Sequence, residues 1–335
     1  MKILYAVQAT GNGHISRAHQ LYPYIEQYGD VDVFLSGSNS SLECDFPVKY
    51  KSDGFSLFFR PCGNLDYYKT FKSFKYKSLY QQARELPVEK YDLIINDFEY
   101  ITAKACNLKK IPSVHFGHQA SFLSIHTPRP EQKSVIAEWI ISNYAKSVTN
   151  VGLHFEKYDD FIFPPIIKEE FLSAKPEDHD HITIYLPAYK KHCIEKSLLE
   201  ISPQQVHWFL NDIQQPMVNK NIHYFPVNQK YFNESLIYCK GLITGGGFET
   251  PSEALYLNKK LMCIPISGHY EQLCNSAALK KLGIKILNNC DEKFSNHIKN
   301  WLETDQKNTQ IEANDINLTL EYIIEKNSIY KTRNY

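Results

Sequence analysis

The run GLITGGGFETPSEALYLNKKLMCIPISGHYEQLCNSAALKKLG, Gly241 to Gly283, carries the densest structural signal in the chain. Leu236–Thr244, which leads into it, is apolar and rich in β-formers and predicts a strand. Gly245, Gly246 and Gly247 break that strand. Glu249–Leu257 then predicts a helix, with Pro251 in the first turn, where its missing N–H is not needed. Leu261–Pro265 predicts a second buried strand, and after a polar loop Tyr270–Leu282 predicts a helix stopped by Gly283. Glycines at such a turn let a ligand approach the backbone. The helix behind them aims unpaired N–H groups and a positive dipole end at the same place. Phosphate fits there, and so does the plainer reading of a tight strand-to-helix turn. Glu253 lies one helical turn beyond Glu249, deep enough to reach a ribose rather than a phosphate.

Working outward, the N-terminus repeats the alternation. Lys2–Gln8 predicts a strand, Ala9–His14 a turn, Ile15–Tyr28 a helix and Val31–Ser36 a second strand, the opening of a Rossmann-like unit. The turn is no dinucleotide fingerprint, because Ser16 takes the third glycine position and the second strand ends without a ribose-binding acid. Two further strands, Tyr91–Asn96 and Pro112–Gly117, end at Asp97 and His118, at the carboxyl edge where open α/β sheets bind ligands. Glu99, two residues past Asp97, is a candidate ligand contact or a helix cap. Asp178-His179-Asp180 has a D-x-D form but precedes a strand rather than ending one, so it reads as a solvated loop. The stretch 67–82 sets Lys69, Lys72, Lys75 and Lys77 among aromatic residues. It reads either as an amphipathic helix with solvated lysines or as a patch for a phosphorylated or lipid-linked acceptor or for anionic headgroups.

Composition bounds the rest. A chain of 335 residues has room for two cores. Its 37 basic residues balance its 37 acidic ones, so no global field draws nucleic acid. Eight cysteines without metal-ligand spacing fit a reduced compartment, and no apolar run suits a signal peptide or a membrane span. A cytoplasmic protein is expected, with peripheral contact at the inner face of a membrane as a further possibility through 67–82.

As a whole, the 241–283 run resembles the donor-binding signature of GT-B glycosyltransferases of the MurG and UDP-glucuronosyltransferase type. It is most similar to a family of uncharacterised microbial glycosyltransferase-like proteins sharing "GFETPSEAL" and "P…YEQ…NA…LKKLG". The matching positions are Gly245, Gly246, Gly247, Phe248, Glu249, Thr250, Pro251, Glu253, Ala254, Pro265, Glu271, Gln272, Asn275 and Gly283, while Asn258 and Ser276 replace the family's Gly and Ala. The resemblance implies an α/β GT-B fold, two Rossmann-like domains with parallel sheets facing across a cleft. Residues 1–165 would bind the acceptor and 166–335 the nucleotide sugar, with the last helix returning to the first domain. It implies transfer of a sugar from a nucleotide sugar, UDP-linked by preference, to an acceptor hydroxyl, with no metal or other cofactor. The acceptor would be a glycan, a lipid-linked molecule or a small molecule.

On that reading Thr244, Gly245, Gly246, Gly247, Phe248, Glu249, Glu253, Glu271 and Gln272 hold the donor. Gly11, Asn12, Gly13, Glu99 and His118 face the acceptor, and His14 and Asp97 are the catalytic candidates. His14 would take the acceptor's proton. Asp97 would orient it or act as base itself. Retaining enzymes of this fold commonly carry an E-x7-E pattern, which would need an acid at Gly245, so inversion is the expectation. Rival readings are a nucleotide-sugar 2-epimerase-like isomerase and a non-catalytic nucleotide-sugar-binding protein.

Overall fold

The computed structural model describes residues 1–37, 44–54, 76–306 and 309–333, with two short strands at 59–60 and 64–65. In chain order the first half contains β1 (Lys2–Gln8), α1 (Asn12–Ile25), β2 (Asp30–Ser36), β3 (Val48–Ser52), the pair β4 (Phe59–Arg60) and β5 (Asn64–Leu65), α2 (Tyr76–Glu85), β6 (Leu93–Asp97), α3 (Tyr100–Lys109), β7 (Val114–Gly117), α4 (Val135–Asn143), β8 (Thr149–Leu153) and β9 (Ile162–Phe163). The second contains α5 (Glu169–Leu172), β10 (His181–Tyr185), α6 (Lys191–Leu199), β11 (Gln205–Leu210), β12 (Met217–Asn219), β13 (Ile222–Pro226), α7 (Gln229–Tyr238), β14 (Gly241–Thr244), α8 (Glu249–Tyr256), β15 (Lys260–Cys263), α9 (Tyr270–Lys281), β16 (Lys285–Ile286), α10 (Phe294–Glu303) and α11 (Ile316–Arg333).

These elements form two seven-stranded sheets, in the orders β3-β2-β1-β6-β7-β8-β9 and β12-β13-β11-β10-β14-β15-β16. Every pairing in the first is parallel, and in the second only the edge strand β12 is antiparallel. Strands buried on both faces should read as continuous apolar runs, and β1 does. Its Ile3, Tyr5 and Val7 pack into one layer while Leu4 and Ala6 pack into the other. In the second sheet β14 divides in the same way, with Leu242 on one face and Ile243 on the other.

In each sheet the chain order reverses beside the first strand of that half, the place at whose carboxyl edge open α/β sheets bind ligands. The first reversal lies between β1 and β6, the second between β10 and β14. The loop into α1 and Asp97 flank the first; the glycine turn flanks the second. α11 packs on α1 and β8, with Asn327 Nδ2 donating to Asp92 O at 3.2 Å.

Several elements differ from their sequence expectations. Leu236, Ile237 and Tyr238 end α7 rather than begin β14, because Asn228 caps a helix there, accepting from Tyr231 N at 3.2 Å. α4 begins at Val135, where Ser134 Oγ accepts from Ala137 N at 3.3 Å. Of the 67–82 stretch, residues 67–75 lie outside the described residues and Tyr76 opens α2. Cys44, Cys106, Cys239, Cys263, Cys274 and Cys290 are free thiols, whereas Cys193 is disulfide-bonded, a departure from the reduced set expected. No helix among the described residues is long and apolar enough to cross a membrane.

Candidate active site

α1 starts abruptly at Asn12, directly after the turn, with Gly11 in extended backbone as N-cap and no side-chain cap. His14 therefore sits in the first turn and Arg17 one turn behind it. Asp97, the last residue of β6, reaches both. His14 Nδ1 lies 3.0 Å from Asp97 Oδ1. Arg17 spends one edge of its guanidinium on the same carboxylate, Nε at 3.1 Å from Oδ2 and Nη2 at 2.7 and 2.8 Å from the two oxygens. Gly117, at φ +155°, leaves room for this group, since a Cβ there would stand 2.7 Å from Asp97 Oδ1. Burial alone would raise the Asp97 pKa, but the charges of Arg17 and His14 hold it well below the usual carboxylate range. For Arg17, burial works against the charge, and Asp97 and Glu249 together keep it firmly protonated.

Gln119 reaches His14 from the side away from Asp97. Its Nε2 donates to Glu271 Oε2 at 3.1 Å and lies 3.4 Å from His14 Nε2. Turning the amide round would set its oxygen against a carboxylate. Asp97, an acceptor, calls for N–H at His14 Nδ1, whereas the donor Arg17 Nη2, 3.0 Å from the same atom, calls for a lone pair there. With the proton on Nδ1, the Nε2 lone pair is the one a general base uses, and Gln119 Nε2 stands 3.4 Å in front of it.

The glycine turn stands opposite. α8 begins at Glu249 with Phe248 as N-cap and no side-chain cap, so two uncapped helix starts converge. A Cβ at Gly13 would come 3.1 Å from Glu249 Cγ, and Arg17 Nη1 donates to Glu249 Oε1 across the boundary between the halves. Burial, with help from Glu253 and Asp97 and against the pull of Arg17, pushes the Glu249 carboxyl up to about 7. Gly246 is glycine for packing: a Cβ would meet Gln272 O at 2.8 Å and Ser276 Oγ at 2.9 Å. Gly247 faces open space. Thr244 Oγ1 donates to Tyr185 O at 3.0 Å within the sheet.

The other candidates sort as follows. Asn12 hydrogen-bonds the Tyr185 hydroxyl of the second half. His118 stacks flat on Phe248, rings 3.9 Å apart and 5° from parallel, with Nδ1 at 2.9 Å from Leu153 O and Nε2 at 2.7 Å from Asn275 Oδ1. Burial lowers its pKa, against Glu271 and these contacts, so it fastens the two halves together as a buried ring rather than facing an acceptor. Gln272 Oε1 accepts from Gly246 N at 3.3 Å and Ile266 N at 2.9 Å, pinning the turn to α9. Glu253 is buried against Lys168 Nζ at 2.8 Å. Glu99 is withdrawn from the acceptor set. It is fully buried, caps α3, and accepts from Ile101 N at 2.8 Å and Thr102 N at 2.6 Å.

Sequence reasoning missed Arg17, Gln119, Asn275 as a bridge, and Lys168. An arginine one turn behind a histidine on an otherwise apolar helix face was the one available signal. Among the described residues no group of three or more His, Cys, Asp or Glu side chains could hold a metal ion.

A family model described as glycosyl transferase family 1 matches residues 1–304. Solved structures match over nearly the whole chain. MurG of Acinetobacter baumannii is 16% identical with a TM-score of 0.58, covering 97% of this chain and 99% of that one. The glycotransferase of kitacinnamycin is 12% identical with a TM-score of 0.59, covering 97% and 95%. Arabidopsis thaliana UGT89C1 complexed with UDP is 13% identical with a TM-score of 0.56, covering 97% and 94%. No curated protein matches the chain by sequence. At these identities the likeness is one of fold, and that fold is GT-B, two α/β halves each built on a parallel sheet.

Proposed function

The chain belongs to glycosyl transferase family 1, and on that premise we propose that it moves a sugar from a UDP-linked donor to an acceptor hydroxyl, with inversion and without a metal ion. The observation that carries this is the meeting of the two sheet reversals. A histidine poised by an aspartate follows Gly13, which lies against Glu249 at the uncapped helix start behind the glycine turn.

Glycosyl transfer needs a hydroxyl made nucleophilic, an anomeric carbon held in line, and a departing diphosphate whose charge is stabilised. His14 Nε2 takes the acceptor proton, and Asp97 receives the Nδ1–H and stabilises the imidazolium. The amides at the start of α8 and the space beside Gly247 receive the diphosphate. Glu271 and Gln272 are placed to bond the donor sugar. Glu253 reaches the ribose by exchanging Lys168 for its hydroxyls. A single base and the lack of an acid at Gly245 favour inversion. Structures of UGT89C1 with UDP and with UDP-L-rhamnose support a nucleotide sugar as donor.

A membrane-facing or lipid-linked acceptor is part of the same reading. What supports it is α4, whose Val135, Ile136 and Trp139 are 82%, 74% and 66% exposed, on a helix that packs its other face on Tyr270 beside Glu271.

Turnover of UDP-glucose and UDP-N-acetylglucosamine, with and without EDTA, tests the proposal. Slow donor hydrolysis that survives chelation and disappears in Glu253→Ala is the expected result. Activity abolished by EDTA, or epimerisation of the donor without transfer, would overturn it.

A further inference from the structure

We propose that Arg17 is the cation that receives the donor's diphosphate, and that Glu249 holds its place on the guanidinium until the donor arrives; the inference rests on the glycosyl-transfer reading above.

The site as folded is short of positive charge. Asp97, Glu249, Glu253 and Glu271 converge on it, and the cations bonded to them are Arg17 and Lys168. Lys168 lies against Glu253, on the ribose side of α8. A diphosphate carrying two negative charges therefore has, among the described residues bonded to these carboxylates, Arg17 to meet at the glycine turn. Arg17 is suited to it. Asp97 takes Nε and Nη2 and fixes the plane, leaving Nη1 directed across the boundary between the halves at the first residue of α8. A guanidinium held by one edge and open at the other matches two phosphate oxygens better than an ammonium does.

Glu249 now fills that open position. Its carboxylate is a poor permanent partner, because it sits with Glu253 on its own helix, with Asp97 at the end of β6 and with Tyr5 on β1, against only Arg17 and His14 on α1. Its carboxyl is pushed up to about 7, burial being the largest cause, so releasing Arg17 and taking a proton costs little near neutral pH. Arriving phosphate oxygens exchange with the carboxylate on Nη1. No covalent bond changes.

Calorimetric titration of the full chain with UDP-glucose tests this, since that diester carries the same charge from pH 5.5 to 8 and only protein groups titrate. A carboxylate's charge-assisted bond to arginine is about twice as strong as an amide's. Glu249→Gln therefore tightens UDP-glucose about tenfold at pH 8 and about twofold or less at pH 5.5, where Glu249 is already protonated. Arg17→Lys weakens it about tenfold or more, and neither substitution alters uridine binding by more than about twofold. Arg17 is buried, and if its lysine variant does not fold, Glu249→Gln decides alone. Wild-type binding with no gain in Glu249→Gln at pH 8, or the same gain at both pH values, refutes the exchange and leaves the transferase reading standing. Failure of the wild type to bind UDP-glucose or UDP-N-acetylglucosamine removes both.

Discussion

Replacing Glu249 with glutamine should make the protein more stable at pH 8, although it removes an ion pair. The carboxyl titrates at about 7 in the folded chain against an ordinary 4.5. Between those two values the folded state holds a proton that the unfolded state has lost. The stability this group contributes is therefore complete below 4.5, falls as pH rises, and is gone above about 7. At about 1.4 kcal/mol per pKa unit the difference reaches about 3 kcal/mol, an upper figure because 13% of the side chain still reaches solvent. Glutamine keeps the shape and the bond from Arg17 without the ionisation penalty. Its contact with Gly13 is unchanged. Urea denaturation of both proteins at pH 8 and at pH 4.5 measures the gain. An advantage of about 2–3 kcal/mol at pH 8 that vanishes at pH 4.5 is expected. A variant less stable than wild type at pH 8 would show that the Arg17–Glu249 attraction outweighs desolvation, and the reasoning would fail.

The remaining expectations concern the other contacts of the site. His14→Ala should lower kcat by about 10²–10⁴ while leaving UDP-sugar affinity within about threefold, read by initial rates and calorimetry; equal losses in both would make His14 a binding residue. Lys168→Met strands the Glu253 carboxylate and should cost about 3–5 kcal/mol, most of it recovered by adding Glu253→Gln, as urea titrations of the double-mutant cycle will show. Gly246→Ala meets a backbone oxygen at 2.8 Å and should lose about 1–3 kcal/mol, whereas Gly247→Ala, facing open space, should keep the wild-type melting temperature. Co-sedimentation with vesicles containing anionic lipid should fall several-fold in a Trp139→Ala/Ile136→Ser variant that melts like wild type; unchanged binding removes α4 from the membrane reading.

The two-domain architecture was legible because each of its sheets announces itself locally. β1, β6 and β14 are apolar runs of strand length, each ended by a turn or a polar residue, and the glycine triplet sits where the second sheet reverses. Where the reading slipped, a short-range polar contact outweighed pattern. Leu236–Tyr238 looks like strand but is drawn into α7, whose start is set by Asn228 eight residues earlier. Glu99 was open between ligand contact and cap; its two bonds to the first amides of α3 decide it.

Arg17 was missed for a different reason. Its place on an otherwise apolar helix face is a weak local signal, and its meaning arises only when positions 17, 97 and 249 meet in space. The same holds for Gln119, which touches partners 105 residues before and 152 after it in the chain. Both belong to the boundary between the halves. A hydrogen-bonded chain runs Glu249–Arg17–Asp97–His14–Gln119–Glu271; both its ends lie on the donor side, and its four middle members, the base among them, belong to the first half. Opening the halves breaks it at Glu249 and again at Glu271. Asp97 keeps its contact with His14 Nδ1 inside the first half, so what the closed arrangement adds is the hold of Glu271 on Gln119 beside Nε2. The surroundings of the base on its Nε2 side are completed by the other half and cannot be read from the first half alone.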